Sequence, residues 1–430
     1  MMSGPAEAVA VAWCRGGRRA RAVVATGLLG PGGVALGVRI VVCAVVGGVA
    51  LALCLASAAA AGAAGWSIQR TPNPAGAKYS VLSGVSCVSR KACTAVGYFT
   101  NRAGAGVTLA ERWNGTIWAI QRTPNPVGAM SSLLFAVSCA STTACTAVGS
   151  VTNRFGITVP LAERWDGTSW SIQPTPNLTR ANGRGVSYLG GVSCASRTAC
   201  AAVGHSGNSL GTTGVTLAER WNGVSWAIQP TPHPTDATVS FLSGVSCASP
   251  RSCAAVGYFI NGAGAGVTLG ERWNATGWVI QRTPNPEGAT YVQLVGVSCA
   301  SPTWCTAVGF FSDVTGIDVM LAERWNGTGW AIQRTLYPDH VRYVQLAGVS
   351  CASPMSCTAV GFFNNITGID VLLAERWNGT GWAIQRTPHP AGATSNSLGA
   401  VSCPSKTRCT AVGGFANRAG TGVTLAERYS

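Results

Sequence analysis

Seven pairs of cysteines recur along this 430-residue chain at a nearly constant interval, and no other feature restricts the fold as strongly. From one pair to the next the interval is 52, 55, 53, 52, 52 and 52 residues. A period of this length is too short for an independent domain, so the chain is expected to repeat one supersecondary unit. The pairs are Cys87/Cys93, Cys139/Cys145, Cys194/Cys200, Cys247/Cys253, Cys299/Cys305, Cys351/Cys357 and Cys403/Cys409.

Residues 294–334 show the unit most clearly, because four short runs of strand-forming residues follow one another there. The runs cover residues 294–299, 305–311, 319–325 and 330–334, and each is bounded by Gly, Pro, Asn or Ser. This pattern is typical of strands joined by hairpins. Four antiparallel strands in each of seven units predict a seven-bladed β-propeller over residues 66–430.

The composition favours the same fold class. Charged residues make up 10% of the chain and glycine occurs 55 times, which suits close-packed strands better than helices with a solvated face. An all-β protein is therefore predicted. The formal net charge of +15 has the sign that attracts nucleic acid. Because Lys and Arg are dispersed among the units without an interleaved aromatic run, we expect no nucleic-acid partner.

The regular pairs account for 14 of the 17 cysteines. An even, regularly spaced set in an exported chain is typical of a disulfide framework, so each pair is predicted to form a disulfide within its own unit. A zinc site would need further ligands, but the chain has only four His and none stands at a matching spacing. We therefore expect neither a metal site nor a cofactor.

Residues 1–65 precede the first unit and combine five Arg with an uncharged apolar run over residues 40–55. A basic start, an apolar run and a small-residue site near residues 58–60 predict a secretory signal peptide. Two alternatives are an uncleaved membrane anchor over residues 40–64 and lipid attachment at Cys54. Each alternative exports the units, which would be secreted or held at the cell surface. Membrane contact is expected only through this segment, if it stays uncleaved.

A family resemblance is visible in CTAVG at residues 305–309 and LAERWNGTGW at residues 321–330. These runs are similar to the Asp-box (BNR) propeller repeat and to the photosystem-assembly type of propeller, where the hairpin closes with Gly-x-x-Trp. Gly327 and Trp330 match that closing pattern, whereas Trp325 stands where an Asp-box places its Asp. The resemblance therefore concerns architecture, and it covers residues 66–430. Because sialidases use such propellers, it implies a glycan-acting hydrolase as an alternative function.

Adjacent Glu and Arg residues recur in the third strand of every unit, as at Glu323 and Arg324. An active site is normally asymmetric, so a pair that occurs once per unit is interpreted as structural. We expect each Glu and Arg to pair with polar groups of neighbouring units or strands. The sialidase pattern also needs an arginine cluster and a paired acid and nucleophile, which the remaining acids do not display. The chain is therefore expected not to be an enzyme. Those remaining acids are Asp166, Asp236, Glu287, Asp313, Asp318, Asp339 and Asp370.

The functional hypothesis is a monomeric scaffold that binds an unidentified protein or glycan, with a glycan-binding module as a further alternative. The units differ most from one another in the loops at residues 100–106, 205–214, 312–318 and 364–370. Loops on a rigid scaffold are where binding usually occurs, so these loops predict the contact face. No individual binding residue is identified.

The ends of the repeat region predict how the ring closes. Six Trp pairs bracket the last hairpin of a unit, as Trp325 and Trp330 do, which leaves Trp66 and Tyr429 without partners. Residues 66–69 resemble a fourth strand without the first three, and residues 425–429 resemble a third strand without a fourth. We predict that these two strands pair and that Trp66 faces Tyr429, which would remove an open sheet edge.

Overall fold

The computed structural model describes residues 64–178, 185–208, 212–336, 338 and 341–430. The signal, anchor and lipid-attachment predictions for residues 1–63 lie outside these ranges. Among the described residues every regular element is a β-strand. None of them forms a helix with the length and apolar character needed to cross a membrane.

Along the chain, three longer strands of 8–13 residues are followed each time by one strand of four residues. In the first half they are β1 (Trp66–Gln69), β2 (Tyr79–Ser89), β3 (Ala92–Thr100), β4 (Gly106–Trp113), β5 (Trp118–Gln121), β6 (Ala129–Ser141), β7 (Ala144–Asn153), β8 (Thr158–Trp165), β9 (Trp170–Gln173), β10 (Val186–Ser196), β11 (Ala199–Gly207), β12 (Gly214–Trp221), β13 (Trp226–Gln229) and β14 (Ala237–Ser249). In the second half they are β15 (Ser252–Asn261), β16 (Gly266–Trp273), β17 (Trp278–Gln281), β18 (Tyr291–Ser301), β19 (Trp304–Ser312), β20 (Asp318–Trp325), β21 (Trp330–Gln333), β22 (Val341–Ser353), β23 (Ser356–Asn365), β24 (Asp370–Trp377), β25 (Trp382–Gln385), β26 (Ser395–Ser405), β27 (Arg408–Ala416) and β28 (Gly422–Tyr429).

Four consecutive strands form one antiparallel unit, from unit 1 (β2 to β5) to unit 6 (β22 to β25). The last group, which we call unit 7, consists of β26, β27 and β28, and its fourth strand is β1 from the start of the repeat region. The first strand of each unit, here called its inner strand, contacts the inner strand of the next unit, and β26 likewise contacts β2. This arrangement of four-stranded antiparallel sheets is consistent with a β-propeller.

Local sequence chemistry fixes both hairpins of a unit. In unit 5, Cys299 lies opposite Cys305 across the first hairpin, and the two Sγ atoms are 2.07 Å apart. All seven regular pairs stand at disulfide distance in the same way. Across the last hairpin Trp325 lies opposite Trp330, with ring centroids 5.9 Å apart. Two facing indoles contribute about 0.5–1.5 kcal/mol beyond their buried area.

The Gly of each Ala-Val-Gly run is required by close backbone packing. A Cβ at Gly97 would overlap the carbonyl oxygen of Val81 on the opposite strand, so no other residue fits there without movement. The same overlap recurs at the equivalent glycine of every other unit. Those glycines are Gly149, Gly204, Gly257, Gly309, Gly361 and Gly413.

The hydrophobic core lies between units rather than within them. Leu82 and Leu109 of unit 1 are fully buried in a cluster that also contains Val412 and Ala426 of unit 7. Equivalent clusters join each unit to the preceding one. A unit cannot bury its apolar face alone, which is why the motif must be repeated.

The second Cys of each pair belongs to this core, so each bridge lies within its own unit, as predicted, and also packs against the preceding unit. Cys305 is 2% exposed and packs in the cluster between units 4 and 5, whereas Cys299 is only partly buried. In unit 1, Cys93 Sγ lies 3.6 Å from Thr410 Oγ1 of unit 7. The reason is that the second strand of a unit turns this side chain toward the preceding unit. These sulfur atoms are therefore structural and do not face a ligand. The other buried second cysteines are Cys145, Cys200, Cys253, Cys357 and Cys409.

The repeated Arg links neighbouring units, as expected. The guanidinium of Arg272 lies 4.7 Å from the ring centre of Trp325 in the next unit, and its Nη2 donates to the carbonyl oxygen of Pro302 at 2.6 Å. The same cation–π contact occurs in all seven units. Arg428 of unit 7 lies over Trp113 of unit 1 in this way.

The expectation that the repeated Glu also pairs with polar groups is wrong for most units. Glu271 is 1% exposed, and neither of its carboxylate oxygens has a hydrogen-bond partner. An exception is Glu375, whose Oε1 accepts from the Leu336 amide at 3.2 Å. Adjacent strand residues point to opposite faces, so the Arg reaches polar groups while the Glu enters the apolar interface. Burial raises the pKa of Glu271 to about 8.

Candidate functional site

A narrow axial channel of about 290 Å³ is lined by residues from all seven inner strands. Most of its lining side chains are small, such as Ser83, Gly190 and Ala347, and Phe135 is the large exception. Because the lining consists of backbone and small apolar groups, the channel itself offers little chemistry. The polar and aromatic residues that can contact a ligand lie at one end of it.

That end is formed by seven cross-strand pairs, which we call the rim. Each pair consists of a residue on the inner strand and the residue opposite it on the second strand. The inner-strand residue stands two positions before a residue that lines the channel. The pairs are Val81/Tyr98, Leu133/Ser150, Tyr188/His205, Phe241/Tyr258, Gln293/Phe310, Gln345/Phe362 and Ser397/Gly414. Since the backbone pairing is the same in every unit, the differences between these side chains break the symmetry of the repeat.

Aromatic side chains form a continuous run on units 3 to 5, from rim residues His205, Phe241, Tyr258 and Phe310 together with Tyr291 beside the rim. His205 stacks on Phe241 with ring centroids 4.1 Å apart, and Phe241 stacks on Tyr258 at 4.8 Å. Tyr291 then meets the edge of Tyr258 at 5.5 Å and approaches Phe310 at 6.1 Å. Burial is the main reason that the pKa of Tyr291 is raised, so its hydroxyl stays protonated. The run offers flat apolar faces beside hydroxyl groups.

His205 occupies a rim position where the other units have Tyr, Phe, Ser or Gly. It is 3% exposed, and its Nδ1 donates to the carbonyl oxygen of Ser240 at 2.9 Å. That hydrogen bond fixes the tautomer with the proton on Nδ1. Burial lowers the pKa of His205, although the bond to Ser240 opposes the shift. His205 is therefore neutral at physiological pH and acts as part of the aromatic run.

Two carboxylates stand beside the rim in units 5 and 6, at the first residue of the third strand. Asp318 accepts from Ser312 Oγ at 2.6 Å and from Gln345 Nε2 at 2.8 Å. Asp370 accepts from Tyr343 Oη at 3.0 Å. In the other units this position holds Gly or Thr, at Gly106, Thr158, Gly214, Gly266 and Gly422.

Asp370 has two further partners. Its Oδ1 accepts from Asn364 Nδ2 at 2.8 Å, and its Oδ2 accepts from Ser395 Oγ at 2.8 Å. The five hydrogen bonds that described residues donate to the two carboxylates thus come from uncharged donors. Burial and then the bond to Asp370 raise the pKa of Tyr343, and the charge of Asp318 adds to the shift. Strand β22 thus contacts both carboxylates, because Gln345 donates to Asp318 and Tyr343 donates to Asp370.

A tight loop holds Asp318 in place. Asp313 Oδ1 accepts from the backbone amides of Thr315 at 2.8 Å and Ile317 at 3.1 Å, which folds the segment before β20. Asn365 does the same before Asp370, accepting from Thr367 and Ile369. Asx turns of this kind are a common use of Asp and Asn. Both carboxylates consequently project from rigid strand starts rather than from the loop tips.

The divergent loops proposed from the sequence lead to this region. Two of the four end at Asp318 and Asp370, and a third begins at His205. Tyr291, Tyr343 and Gln345 were not predicted from the sequence, because these residues lie within regular strands. The sequence does show that these residues differ from their equivalents in other units. The other units also differ from one another at these positions, so the difference did not single out the three residues. The residues that the structure describes contain no group of three or more His, Cys, Asp or Glu side chains able to hold a metal ion.

No protein-family model matches the chain, and no curated protein sequence matches it. Solved structures with a similar fold include a polysaccharide lyase of family PL25, an ulvan lyase, at 10% identity and a TM-score of 0.50, covering 82% of this chain and 94% of the lyase. A GH74 xyloglucanase from Xanthomonas campestris has 12% identity and a TM-score of 0.49, covering 82% of this chain and 53% of the xyloglucanase. This chain thus spans about half of the xyloglucanase's length. A fucose-specific lectin from Aleuria aurantia has 12% identity and a TM-score of 0.41, covering 73% of this chain and 98% of the lectin.

The similarity to the lyase concerns the fold, is consistent with a propeller architecture and does not identify an Asp-box family. It also corrects the expectation that the chain is not an enzyme, because the fold is shared with a polysaccharide lyase. That expectation rested on the lack of two acids placed as a pair, whereas Asp318 and Asp370 occupy equivalent places in adjacent units. The fold therefore gives no ground for excluding catalysis.

Proposed function

We propose that the repeat region is an exported, monomeric seven-bladed β-propeller that binds a glycan at the rim. Seven units and the pairing of β1 with β28 support the closed ring. Seven cysteine pairs at disulfide distance support an oxidising, extracellular location. An N-terminal signal or anchor would deliver the domain there.

The observation that carries the proposal is the break in repeat symmetry at Asp318 and Asp370. A carboxylate has about four acceptor sites, and Asp318 uses two of them while Asp370 uses three. About two sites on Asp318 and one on Asp370 therefore remain for donors on a ligand. Sugar hydroxyls are such donors, and the adjacent aromatic run provides apolar faces for the C–H side of a pyranose ring. This combination of convergent polar groups and aromatic surface is typical of small-ligand sites.

The charge of the site favours neutral or amino sugars over acidic sugars. Among the residues that the structure describes, the five donors to Asp318 and Asp370 are uncharged, and no hydrogen-bonded cation from these residues offsets the two negative charges. The repeated Arg residues are committed to neighbouring units, as Arg324 is to Trp377. An arginine cluster of the sialidase type is therefore not supported by these residues.

Glycan-array binding of the purified full-length protein tests the proposal. The variant D318G/D370G restores the glycine that four other units have at this position and is expected to fold. We expect it to lose rim binding by about tenfold or more. The matched control is Asp313→Asn, which removes one negative charge from a nearby loop position where units 6 and 7 have Asn365 and Asn417. Equal binding by wild type and D318G/D370G would contradict the proposal.

The second candidate function is cleavage of the bound glycan. It is favoured by the two carboxylates in adjacent units, since glycoside hydrolysis generally uses a pair of Asp or Glu residues. Reducing-sugar release from neutral polysaccharides and a panel of fluorogenic glycosides test it. Activity should fall by about a hundredfold or more in Asp318→Asn and Asp370→Asn and persist in Asp313→Asn. Binding without any turnover would leave the glycan-binding function alone.

A further inference from the structure

A second, peripheral concavity breaks the repeat symmetry in a different place. It has a volume of about 620 Å³ and lies between the linker after unit 3 and the outer part of unit 4. Its floor includes Phe259, which is half-buried, and Ile280, which is 36% exposed. The size falls in the range of small-molecule sites, which is about 300–1,000 Å³. We call it the unit 4 groove.

Two residues of the linker make this groove chemically different from its equivalents. The linker reads TPHPTDA, whereas the linkers after units 1, 4 and 7 read TPNPxGA. His233 thus stands where those linkers have Asn, and Asp236 stands where they have Gly. Both side chains are exposed and line the groove.

The usual Asn has a structural duty that His233 does not perform. Asn125 Oδ1 accepts from the Thr108 amide at 3.2 Å, and Asn285 Oδ1 accepts from the Thr268 amide at 3.1 Å. His233 instead places its Nε2 3.3 Å from the carbonyl oxygen of Ala237, within its own linker. The replacement has therefore given up a contact that holds the linker on the preceding third strand.

The side of the groove opposite the linker carries Arg282 and Asn285, and both side chains are exposed. Arg282 is a donor only and Asp236 is an acceptor only, while Asn285 keeps its amide NH₂ free of the bond to Thr268. A ligand that meets all three must both donate and accept hydrogen bonds. An anion would be repelled by Asp236 and a cation by Arg282. With the apolar floor beneath, the lining fits a neutral pyranose ring, whose hydroxyls both donate and accept.

We propose that the unit 4 groove is a second glycan site, separate from the rim, that takes one neutral sugar residue. The sugar lies with its C–H face on Phe259 and Ile280 and its hydroxyls toward Asp236, Arg282 and His233. The proposal goes beyond rim binding and does not depend on it.

The corresponding groove of unit 5 serves as an internal comparison. It has a volume of about 570 Å³ and an equivalent floor of Phe311 and Ile332, with Arg334 on one side. The linker before it carries the usual Asn and Gly instead of His and Asp. If apolar floor and Arg were sufficient, both grooves would bind sugar. The proposal assigns the difference to His233 and Asp236 in the linker and to Asn285, whose place in unit 5 is taken by Tyr337.

Saturation-transfer difference NMR on the full-length protein tests the groove, with neutral methyl hexopyranosides as probes and methyl glucuronide and methyl glucosaminide as charged comparisons. The background is D318G/D370G, in which rim binding is expected to be weaker by about tenfold or more. The test variant H233N/D236G converts the linker to the residues of its neighbours and so preserves folding. The matched control is His389→Asn, which makes the same change in the equivalent linker after unit 6.

In that background we expect a neutral glycoside to bind and the affinity to fall by about tenfold or more in H233N/D236G. His389→Asn should leave it unchanged, and both charged glycosides should bind more weakly. Three results would each overturn the proposal. They are undiminished binding in H233N/D236G, preference for a charged glycoside, and no binding of any neutral glycoside by D318G/D370G. If the rim does not bind glycans, wild type and background will bind equally, and the groove result still stands.

Discussion

Trp66, in the first strand of the repeat region, lies directly opposite Tyr429, the penultimate residue of the chain, with ring centroids 5.6 Å apart. The pair takes the place that two Trp residues hold in the other six units. Backbone hydrogen bonds between Gly65 and Ser430 extend the pairing by one residue, at 3.2 Å in both directions. The two ends of the repeat region therefore share one sheet.

Replacing Trp66 with Ala should strongly destabilise the protein, although Trp66 stands at the start of the repeat region. Trp66 is 8% exposed. Truncating a buried Trp to Ala lowers the free energy of unfolding by about 3–5 kcal/mol. Denaturant unfolding measures the loss, and hydrogen exchange should increase in β28. The control Ser67→Ala changes an exposed neighbour in the same strand. An unchanged midpoint for Trp66→Ala would show that β1 does not close the ring.

Replacing Arg428 with Ala should loosen the contact between units 7 and 1. Its guanidinium lies 4.5 Å from the ring centre of Trp113, and its Nη2 donates to the Arg90 carbonyl oxygen at 2.6 Å. Losing a cation–π contact and a charged hydrogen bond costs about 2–4 kcal/mol. The exposed Arg122→Ala serves as control in the same unfolding experiment. Glycan binding should persist in the folded variant, since lost binding at full stability would reverse the structural interpretation of the Glu-Arg pairs.

The buried Glu residues should make the protein less stable as the pH rises. Burial raises the pKa of Glu271 from 4.5 to about 8, so the folded state favours the protonated form. Its contribution to stability is present below pH 4.5 and is lost as the pH rises through about 8. Thermal unfolding between pH 5 and 9 should show falling stability for the wild type and a shallower fall for Glu271→Gln. A flat profile for the wild type would mean that these carboxylates are solvated or paired.

The cysteine pairs should contain no free thiol in the oxidised protein. Thiol titration of the unreduced, denatured full chain should detect at most the thiols of Cys14, Cys43 and Cys54. Each small loop closed by a disulfide contributes on the order of 2 kcal/mol in the chain-entropy model, so reduction should lower the unfolding midpoint. A titration that finds nearly all 17 thiols would exclude the disulfide framework.

Replacing Ala275 with Gly should stabilise the last hairpin of unit 4. Ala275 has a φ of 78°, and in five other units the equivalent residue is a glycine with positive φ, as at Gly327. A Cβ in the left-handed region costs about 1–2 kcal/mol, partly offset by the greater backbone entropy of Gly, so a gain of about 1 kcal/mol is expected. Ala263→Gly, in an exposed loop without positive φ, should instead lose stability slightly. Equal effects of the two substitutions would refute the strain at Ala275.

The sequence by itself determined the elements and their hairpins, because these depend on residues close together in the chain. Cys299 and Cys305, or Trp325 and Trp330, can meet only across a short turn, and glycine at the left-handed turn position fixes where it lies. Repetition then allowed the pattern of one unit to be extended to all seven. The pairing of Trp66 with Tyr429 followed from counting which repeated residues lacked a partner.

Only the tertiary structure decided what the neighbouring units do to each side chain. The sequence shows that Glu271 and Arg272 are adjacent. It does not show that Glu271 enters an apolar interface while Arg272 reaches Trp325. The partner surface comes from residues far along the chain. Asp318 and Asp370 likewise lie one repeat apart in sequence, and the packing of unit 5 against unit 6 brings both to strand β22, where Gln345 and Tyr343 donate to them. Packing between residues far apart in the chain sets which side chains are buried and which lie close together. The sequence therefore predicted the face that carries the candidate site, and only the three-dimensional structure identified its residues.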